Sequence, residues 1–163
     1  GYTYDGRWQA VAKRLKAHYC LRNGARVLDV GCAKGFLVKD LLDEKLDAFG
    51  CDVSGYALMN NVLGTCKRLF LRGADNLPNS TYDLVVSVNT IHNLDIDACA
   101  VSLQQIERIG RYKYVTVDAY RNDEERERMM AWNLTDKTIM HVDEWKVFFE
   151  KVGYTGDYWW FIP

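Results

Sequence analysis

The sequence predicts an α/β fold: a mostly parallel sheet of six or seven strands, covered by helices on both faces. Short apolar runs with strand character alternate with helix-like segments along the chain, and parallel strands require this alternation because each crossover needs a helix-sized connection. Only two prolines interrupt the 163 residues, and no Ser/Gly-rich linker divides them. We therefore expect a single domain spanning residues 1–163.

The first predicted element is a helix over residues 4–19, where apolar residues recur every three or four positions. It belongs to an N-terminal segment of residues 1–24, which precedes a core of residues 25–163. Six strands are expected in the core, at residues 26–30, 48–53, 68–71, 84–88, 114–117 and 157–162. Further helices are expected at residues 36–46, 56–63, 97–109, 123–132 and 142–152, the last of them ending at Gly153.

The composition of the chain limits the kinds of molecule that it is expected to bind. A formal net charge of -1 gives no overall attraction to nucleic acid or to an anionic membrane. No apolar run approaches the roughly 20 residues that span a bilayer, and five cysteines without a CxxC pair fit neither a disulfide framework nor a zinc knuckle. We expect a cytoplasmic protein, monomeric or homodimeric, that acts on a small molecule and binds neither nucleic acid nor membrane.

The turn after the first strand carries the clearest signal. In parallel α/β sheets, ligands bind beyond the carboxyl ends of the strands, and the first strand leads into Asp29-Val30-Gly31-Cys32-Ala33-Lys34-Gly35-Phe36. Gly31 and Gly35 allow unusual backbone torsions and the close approach of a ligand. The dinucleotide fingerprint GxGxxG would place its third glycine at position 36, but here the glycine lies at position 35.

This segment, VLDVGCAKGF, resembles motif I of the class I S-adenosylmethionine (SAM) dependent methyltransferases, whose usual form is VLDxGCGxG. The resemblance implies a Rossmann-like SAM-binding three-layer sandwich, with SAM as the cofactor, and it is greatest to small-molecule methyltransferases of the ubiquinone/menaquinone type. Ala33 departs from the motif, which has glycine there. The resemblance also implies the motif I residues that contact the cofactor: Asp29, Gly31, Cys32, Ala33 and Gly35.

Two further segments fit a nucleoside cofactor. Asp52 ends the second strand, next to Val53, and a carboxylate there can accept hydrogen bonds from both ribose hydroxyls. SAM and NAD share that requirement, and a solvated aspartate is the structural alternative. The segment Gly73-Ala74-Asp75-Asn76-Leu77-Pro78 resembles the family's GxAxxLP segment, which implies that Asp75, flanked by Ala74 and Asn76, reaches the adenine amino group; the alternative is a simple turn.

The segment from Tyr82 to Leu94 resembles the family's fourth motif, which implies that Asn89 flanks the methionyl part of SAM. His92 lies three residues further on. A neutral imidazole with a pKa near 6.5 is suited to take a proton from a hydroxyl acceptor, so His92 is the predicted catalytic base. A packing or helix-capping role is the alternative.

The remaining predictions concern the surroundings of the site. The aromatic opening before the first helix is interpreted as a lid in which Tyr4 and Arg7 contact SAM, or as a hydrophobic anchor. Asp118, Tyr120 and Arg121 follow the fifth strand and are candidates for lining the acceptor pocket; the alternative is an exposed cluster at the end of the strand. No histidine has partners at metal-ligand spacing, so no metal is predicted.

The sequence thus predicts methyl transfer from SAM to a small-molecule acceptor, most simply at oxygen. Two alternatives remain open at this stage. One is an NAD-linked oxidoreductase on a related fold, and the other is a SAM-binding module without catalytic activity.

Overall fold

The computed structural model of the chain describes residues 3–163. Gly1 and Tyr2 of the predicted lid lie outside the described residues. Seven strands are found within residues 3–163: β1 Arg26–Val30, β2 Asp47–Asp52, β3 Leu69–Leu71, β4 Tyr82–Val88, β5 Gly110–Tyr120, β6 Met140–His141 and β7 Asp157–Phe161. The helices are α1 Gln9–His18, α2 Phe36–Asp43, α3 Gly55–Met59, α4 Ile96–Ile109, α5 Asp123–Trp132 and α6 Val142–Val152, with a 3₁₀ helix at Ile91–Asn93.

The strands form one sheet in the order β3-β2-β1-β4-β5, and both β6 and β7 pair with the outer edge of β5. β7 pairs with residues 114–118 of β5, and β6 continues the same edge at Ala119 and Tyr120. Every strand pairing among the described residues is parallel. The chain therefore has the predicted parallel sheet, and its last strand, β7, also lies parallel to β5.

The sheet separates two hydrophobic cores. Successive strand residues point to opposite faces, so Leu28 and Val30 pack with α4 and α6, whereas Val27 packs with α1 and α2. Trp145 of α6 is completely buried in the first core. The predicted three-layer α/β sandwich is confirmed.

The N-terminal segment differs from its prediction at one end. Helix α1 begins at Gln9, five residues after the predicted start, because the Asp5 carboxylate accepts hydrogen bonds from the backbone and the guanidinium of Arg7. This local bonding forms a turn that competes with the helix.

No helix within residues 3–163 combines the length and the apolarity needed to cross a bilayer.

Candidate functional site

The carboxyl ends of β1, β2, β3 and β4 meet at one edge of the sheet. The N–H groups of Gly31 and Cys32, after β1, donate to the carbonyl of Cys51 in β2 at 2.8 and 3.0 Å. The N–H of Arg72, after β3, donates to the carbonyl of Asp52 at 3.0 Å. The segments singled out in the sequence are thus neighbours in the fold, at the edge where parallel α/β sheets bind ligands.

The turn after β1 is built from left-handed backbone conformations. Gly31 has φ 84° and Gly35 has φ 76°. A Cβ atom at Gly31 would overlap the side chain of Thr90, which follows β4, and one at Gly35 would lie 2.9 Å from Leu69 Cδ1. Glycine at position 31 therefore lets the β1 and β4 exits pack together, a requirement that exists before any ligand binds.

Asp52 is held in place by the backbone around it. Its Oδ2 accepts a hydrogen bond from the N–H of Ala33 and its Oδ1 accepts one from the N–H of Ser54, both at 2.8 Å. Ala33 itself has φ 46°, a conformation that strains a residue with a side chain. The carboxylate is oriented without a ligand, and each oxygen has a second lone pair free for a hydroxyl donor.

Asp29 is a buried carboxyl at the end of β1. Burial, with a smaller contribution from the nearby charge of Asp52, raises the pKa of Asp29 to about 7. Burial also raises the pKa of Cys32 beside it, so this thiol stays protonated. The carboxyl group of Asp29 can therefore lose its proton and become negatively charged near neutral pH.

The β2 and β3 exits face each other. Val53 is 75% exposed, and its Cγ1 lies 3.7 Å from where a Cβ on Gly73 would stand. Asp75 folds back over Gly73, and the N–H of Asn76 donates to the Gly73 carbonyl at 3.2 Å in a turn. Ala74 packs against the core. Asp75, Asn76 and Val53 are all exposed beside Asp52 and are available to a ligand.

The two predicted lid residues have partners within the protein. The hydroxyl of Tyr4 donates to Asp40 Oδ1 at 2.5 Å, and its ring packs edge-on against Phe36 at the start of α2. The guanidinium of Arg7 pairs with Asp5 at 2.6 Å and is exposed. The contacts of Tyr4 fit the anchoring alternative, and they hold the N-terminal segment beside the turn that follows β1.

The β4 exit is fixed to β5. Asn89 adopts a left-handed conformation with φ 48°. Its N–H donates to Thr116 Oγ1 at 2.8 Å, and its Oδ1 accepts from the same hydroxyl at 2.6 Å. Asparagine tolerates this conformation better than most residues, and the two bonds to Thr116 hold it there.

His92, three residues after Asn89, lies in a buried cluster with the carboxylates of Asp118 and Asp136. The N–H of Asp118 donates to His92 Nδ1 at 3.1 Å. His92 Nε2 lies 3.6 Å from Asp118 Oδ1 and 3.4 Å from Asp136 Oδ1, and the three side chains are 3, 5 and 7% exposed. Burial lowers the pKa of His92, whereas burial and a hydrogen bond with Asp136 raise the pKa of Asp118 to about 7.

This cluster forms one wall of a cavity of about 470 Å³ at the ends of β4, β5 and β7. The other walls combine apolar and polar groups, namely Asn89, Asn93, Ala131, Trp132, Leu134, Thr135 and Phe161. Its volume lies in the range of small-molecule sites. Of the residues predicted for the acceptor pocket, Asp118 lines this cavity, whereas the guanidinium of Arg121 pairs with Glu125 and Tyr120 lines a smaller adjacent cavity.

His92, Asp118 and Asp136 bring one imidazole nitrogen and two carboxylate oxygens within 4.8 Å of one another. Their composition would suit a divalent cation. However, Nδ1 of His92 accepts the backbone N–H, so in neutral imidazole the proton sits on Nε2. A protonated Nε2 has no lone pair for a metal, and the sequence prediction of no metal stays a prediction.

Sequence reasoning missed Asp136. It lies between α5 and β6, in a stretch without periodicity, and only the fold carries it to His92. There the His92 carbonyl accepts the N–H groups of Lys137 and Thr138 at 3.0 and 2.9 Å. An acidic residue within a short run of Asn, Thr and Asp was the only signal available, and such runs are usually turns.

Solved structures define the class of protein to which this fold belongs. A SAM-dependent methyltransferase from Archaeoglobus fulgidus is 19% identical, with a TM-score of 0.66 over 92% of this chain and 70% of that one. The YcgJ protein from Bacillus subtilis is 14% identical, with a TM-score of 0.70 over 88% of this chain and 67% of that one. CalS10 from Micromonospora echinaspora, an amino pentose methyltransferase solved with SAM bound, is 18% identical, with a TM-score of 0.54 over 69% of this chain and 48% of that one.

The chain therefore has the class I SAM-dependent methyltransferase fold. It spans 48 to 70% of the length of these three proteins. The sequence profile described as "Methionine biosynthesis protein MetW" matches residues 13–144, and the chain belongs to this family. No curated protein matches it. The predicted class I methyltransferase fold is confirmed, whereas the ubiquinone/menaquinone type stays a prediction.

Proposed function

We propose that this chain transfers a methyl group from SAM to a hydroxyl group of a small-molecule acceptor. The observation that carries the cofactor part of the proposal is the orientation of Asp52, whose two carboxylate oxygens are fixed by the N–H groups of Ala33 and Ser54 at 2.8 Å. A carboxylate fixed in this way at the end of β2 is preorganised for the two hydroxyls of a ribose.

The cofactor would lie across the four strand exits. Asp52 would bind the ribose, Asp75 the adenine amino group, and Asp29 the positively charged end of the methionyl part. The remaining proposed contacts are Tyr4, Arg7, Gly31, Cys32, Ala33, Gly35, Val53, Ala74, Asn76 and Asn89.

The acceptor would occupy the cavity beyond Asn89. Trp132 and Phe161, with ring centroids 5.7 Å apart, offer aromatic surface, and Asn93, Thr135 and Asp136 offer polar groups. Aromatic faces beside a few fixed polar groups suit the apolar C–H surface and the hydroxyls of a sugar-type ring. A hydroxyl of such a ring is the proposed methyl acceptor.

Methyl transfer from a sulfonium is an in-line displacement with a good leaving group. The protein has to align acceptor oxygen, methyl carbon and sulfur, and to exclude water. The hydrogen bonds between Asn89 and Thr116 fix the β4 exit, which lies between the proposed cofactor edge and the acceptor cavity. The cofactor and the acceptor would therefore meet at a fixed place.

Calorimetry with S-adenosylhomocysteine and with NAD tests the cofactor. We expect binding of S-adenosylhomocysteine and no heat with NAD. Binding of NAD alone would contradict the proposal and favour an oxidoreductase.

Asp52→Ala tests the ribose contact. We expect SAM affinity to fall by about 1 to 3 kcal/mol, the cost of losing a charged hydrogen-bonding partner. Asp43→Ala, on the exposed end of α2, is the matched control and should bind SAM as the unaltered protein does. Unchanged affinity in Asp52→Ala would remove this residue from the site.

Turnover tests catalysis. Release of S-adenosylhomocysteine is measured with methyl glycosides and nucleotide-linked sugars, and with simple alcohols, amines and carboxylic acids. Methylation of the sugars is expected. Binding of S-adenosylhomocysteine without turnover of any compound would favour a module that binds SAM without catalysis.

A further inference from the structure

We propose that the paired carboxylates of Asp118 and Asp136 are the general base of this site, and that His92 is a positioning residue that orients them. The proposal rests on the proposed function, since it concerns the proton that a hydroxyl acceptor must lose. It replaces the sequence prediction that the imidazole of His92 takes this proton.

The hydrogen bonds of His92 exclude it as the base. Its Nδ1 accepts the N–H of Asp118 at 3.1 Å, so the neutral ring carries its proton on Nε2. Nε2 faces the two carboxylates at 3.4 and 3.6 Å, distances of charge–dipole attraction rather than short hydrogen bonds. Neither ring nitrogen retains a lone pair for an acceptor proton. The ring is also held from behind, because its backbone carbonyl accepts two N–H groups.

The two carboxylates need a shared proton when no acceptor is bound. Asp136 Oδ2 is buried and has no hydrogen-bond partner among the described residues. A buried acceptor left unpaired costs about 1 to 3 kcal/mol, and two buried carboxylates this close resist simultaneous ionisation. One proton held between Asp118 and Asp136 removes this repulsion and lets the two carboxyl groups share a hydrogen bond. The pair therefore binds this proton more tightly than an isolated carboxylate would.

The carboxylates of Asp118 and Asp136 take up the proton that methyl transfer releases. The acceptor O–H bond breaks and its proton passes to the doubly ionised pair, which becomes singly protonated. The oxygen forms a bond to the methyl carbon, the bond from that carbon to sulfur breaks, and its electron pair stays on sulfur as the sulfonium becomes a neutral thioether. The summed charge of the pair and the cofactor is the same before and after, and the proton leaves to solvent after the products do.

The surroundings of the pair determine which charges can shift its titration. Among the described residues that line the cavity, His92, Asp118 and Asp136 are the ionisable ones. From α6, Trp145 donates its Nε1–H to the carbonyl of Asp118 at 3.0 Å and adds no charge. On the far side, Arg126 and Lys137 line a neighbouring cavity that Asp136 also reaches.

The pH profile of turnover tests the assignment, with the best sugar acceptor of the panel as probe. In the unaltered protein, kcat should rise with pH through about 7, the pKa of Asp118, because only the doubly ionised pair accepts a proton. Asp118→Asn should lower kcat by about 100-fold or more, the usual scale for a lost general base. SAM affinity should stay within twofold. Asp97→Asn, on the exposed first turn of α4, is the matched control and should keep the kcat and the profile.

Two more variants separate positioning from structural damage because they shift the profile in opposite directions. Asp136→Asn removes a neighbouring negative charge, which lowers the pKa of Asp118 and moves the rise in kcat to lower pH. His92→Leu removes an N–H that favours the ionised pair, which moves the rise to higher pH. A mere loss of packing would lower kcat without these opposite shifts, and unchanged profiles in both variants would overturn the proposal.

Nuclear magnetic resonance provides a readout that needs no acceptor. In protein labelled with 13C at the aspartate carboxyls, with S-adenosylhomocysteine bound, we expect the pair to titrate in two steps, one of them near pH 7. The 15N spectrum of His92 should show the proton on Nε2. Ionisation of both carboxyls well below pH 6, or a proton on Nδ1, would overturn the base assignment while leaving methyl transfer intact. Failure to bind S-adenosylhomocysteine would instead sink the proposed function.

Discussion

Ala33 is the residue at which this chain departs from its family motif, and the structure shows the consequence. It keeps the left-handed conformation that glycine would adopt, with φ 46°, and its N–H still orients Asp52 at 2.8 Å. The left-handed region costs a residue with a Cβ about 1 to 2 kcal/mol. The local hydrogen bonds therefore preserve the turn against the preference of the side chain.

Ala33→Gly should stabilise the protein. Relief of the strain exceeds the entropy that glycine adds to the unfolded chain, so the free energy of unfolding, measured with urea, should rise by about 0.5 to 1 kcal/mol. Ala100→Gly, within α4, is the matched control and should lower that free energy by about 1 kcal/mol. Equal losses in the two variants would show that Ala33 is not strained.

At the scale of elements, local signals predicted those parts of the fold that local forces determine. Strand β1 and helices α5 and α6 have the predicted bounds, since α5 and α6 begin at side-chain caps and Gly153 ends α6 with φ 78°. Strand β5 runs for 11 residues instead of four because pairing with β4 extends it through exposed residues. This pairing joins segments that are distant in sequence, so the hydrophobic periodicity of residues 110–120 does not predict it.

The same distinction applies to the candidate site. The motifs after β1, β2 and β4 could be identified because each is a contiguous segment with turn chemistry. Asp136 could not be identified from the sequence, because only the folding of the loop between α5 and β6 brings it next to His92. The role of His92 was predicted from its residue type, whereas the positioning role that we propose instead depends on one backbone N–H, that of Asp118.

The N-terminal segment is an element whose contribution can be measured. Asp40 is 1% exposed, Tyr4 donates to its Oδ1 at 2.5 Å, and its Oδ2 has no hydrogen-bond partner within residues 3–163. Tyr4→Phe should lower the free energy of unfolding by about 1 to 3 kcal/mol, because a buried carboxyl then loses a donor. Tyr56→Phe, on the exposed face of α3, should change that free energy by less than about 0.5 kcal/mol. Equal effects would mean that the segment does not anchor through this bond.

At the scale of the whole molecule, the fold concentrates negative charge where the cofactor would bind. The chain carries a net charge of only -1, yet Asp29 and Asp52 both lie at the carboxyl ends of neighbouring strands, β1 and β2. A local negative field on a nearly neutral protein favours a ligand with a net positive charge, such as SAM with its sulfonium and ammonium groups. Salt should weaken this attraction at the exposed exits more than at the buried ones.

The buried carboxyl of Asp29 makes both folding and cofactor binding depend on pH. Its pKa of about 7 in the folded protein lies above the unfolded value of 3.8, so the folded state holds more protons between about pH 4 and 7. The contribution of Asp29 to stability is therefore complete below about pH 4 and falls as the pH rises to 7. SAM should reverse this trend, because its positive charges favour the ionised carboxylate.

SAM affinity, measured by calorimetry, should consequently rise between pH 6 and pH 8, with a proton released on binding at the lower pH. Asp29→Asn should bind SAM more weakly at pH 8 and lose most of the dependence on pH. Asp43→Asn, exposed on α2, should keep it. Because the Asp118–Asp136 pair lies beyond Asn89 in the acceptor cavity, Asp118→Asn should leave the pH dependence of SAM binding in place while changing that of turnover. A single variant that abolished both dependences would show that the cofactor and acceptor sites do not titrate separately.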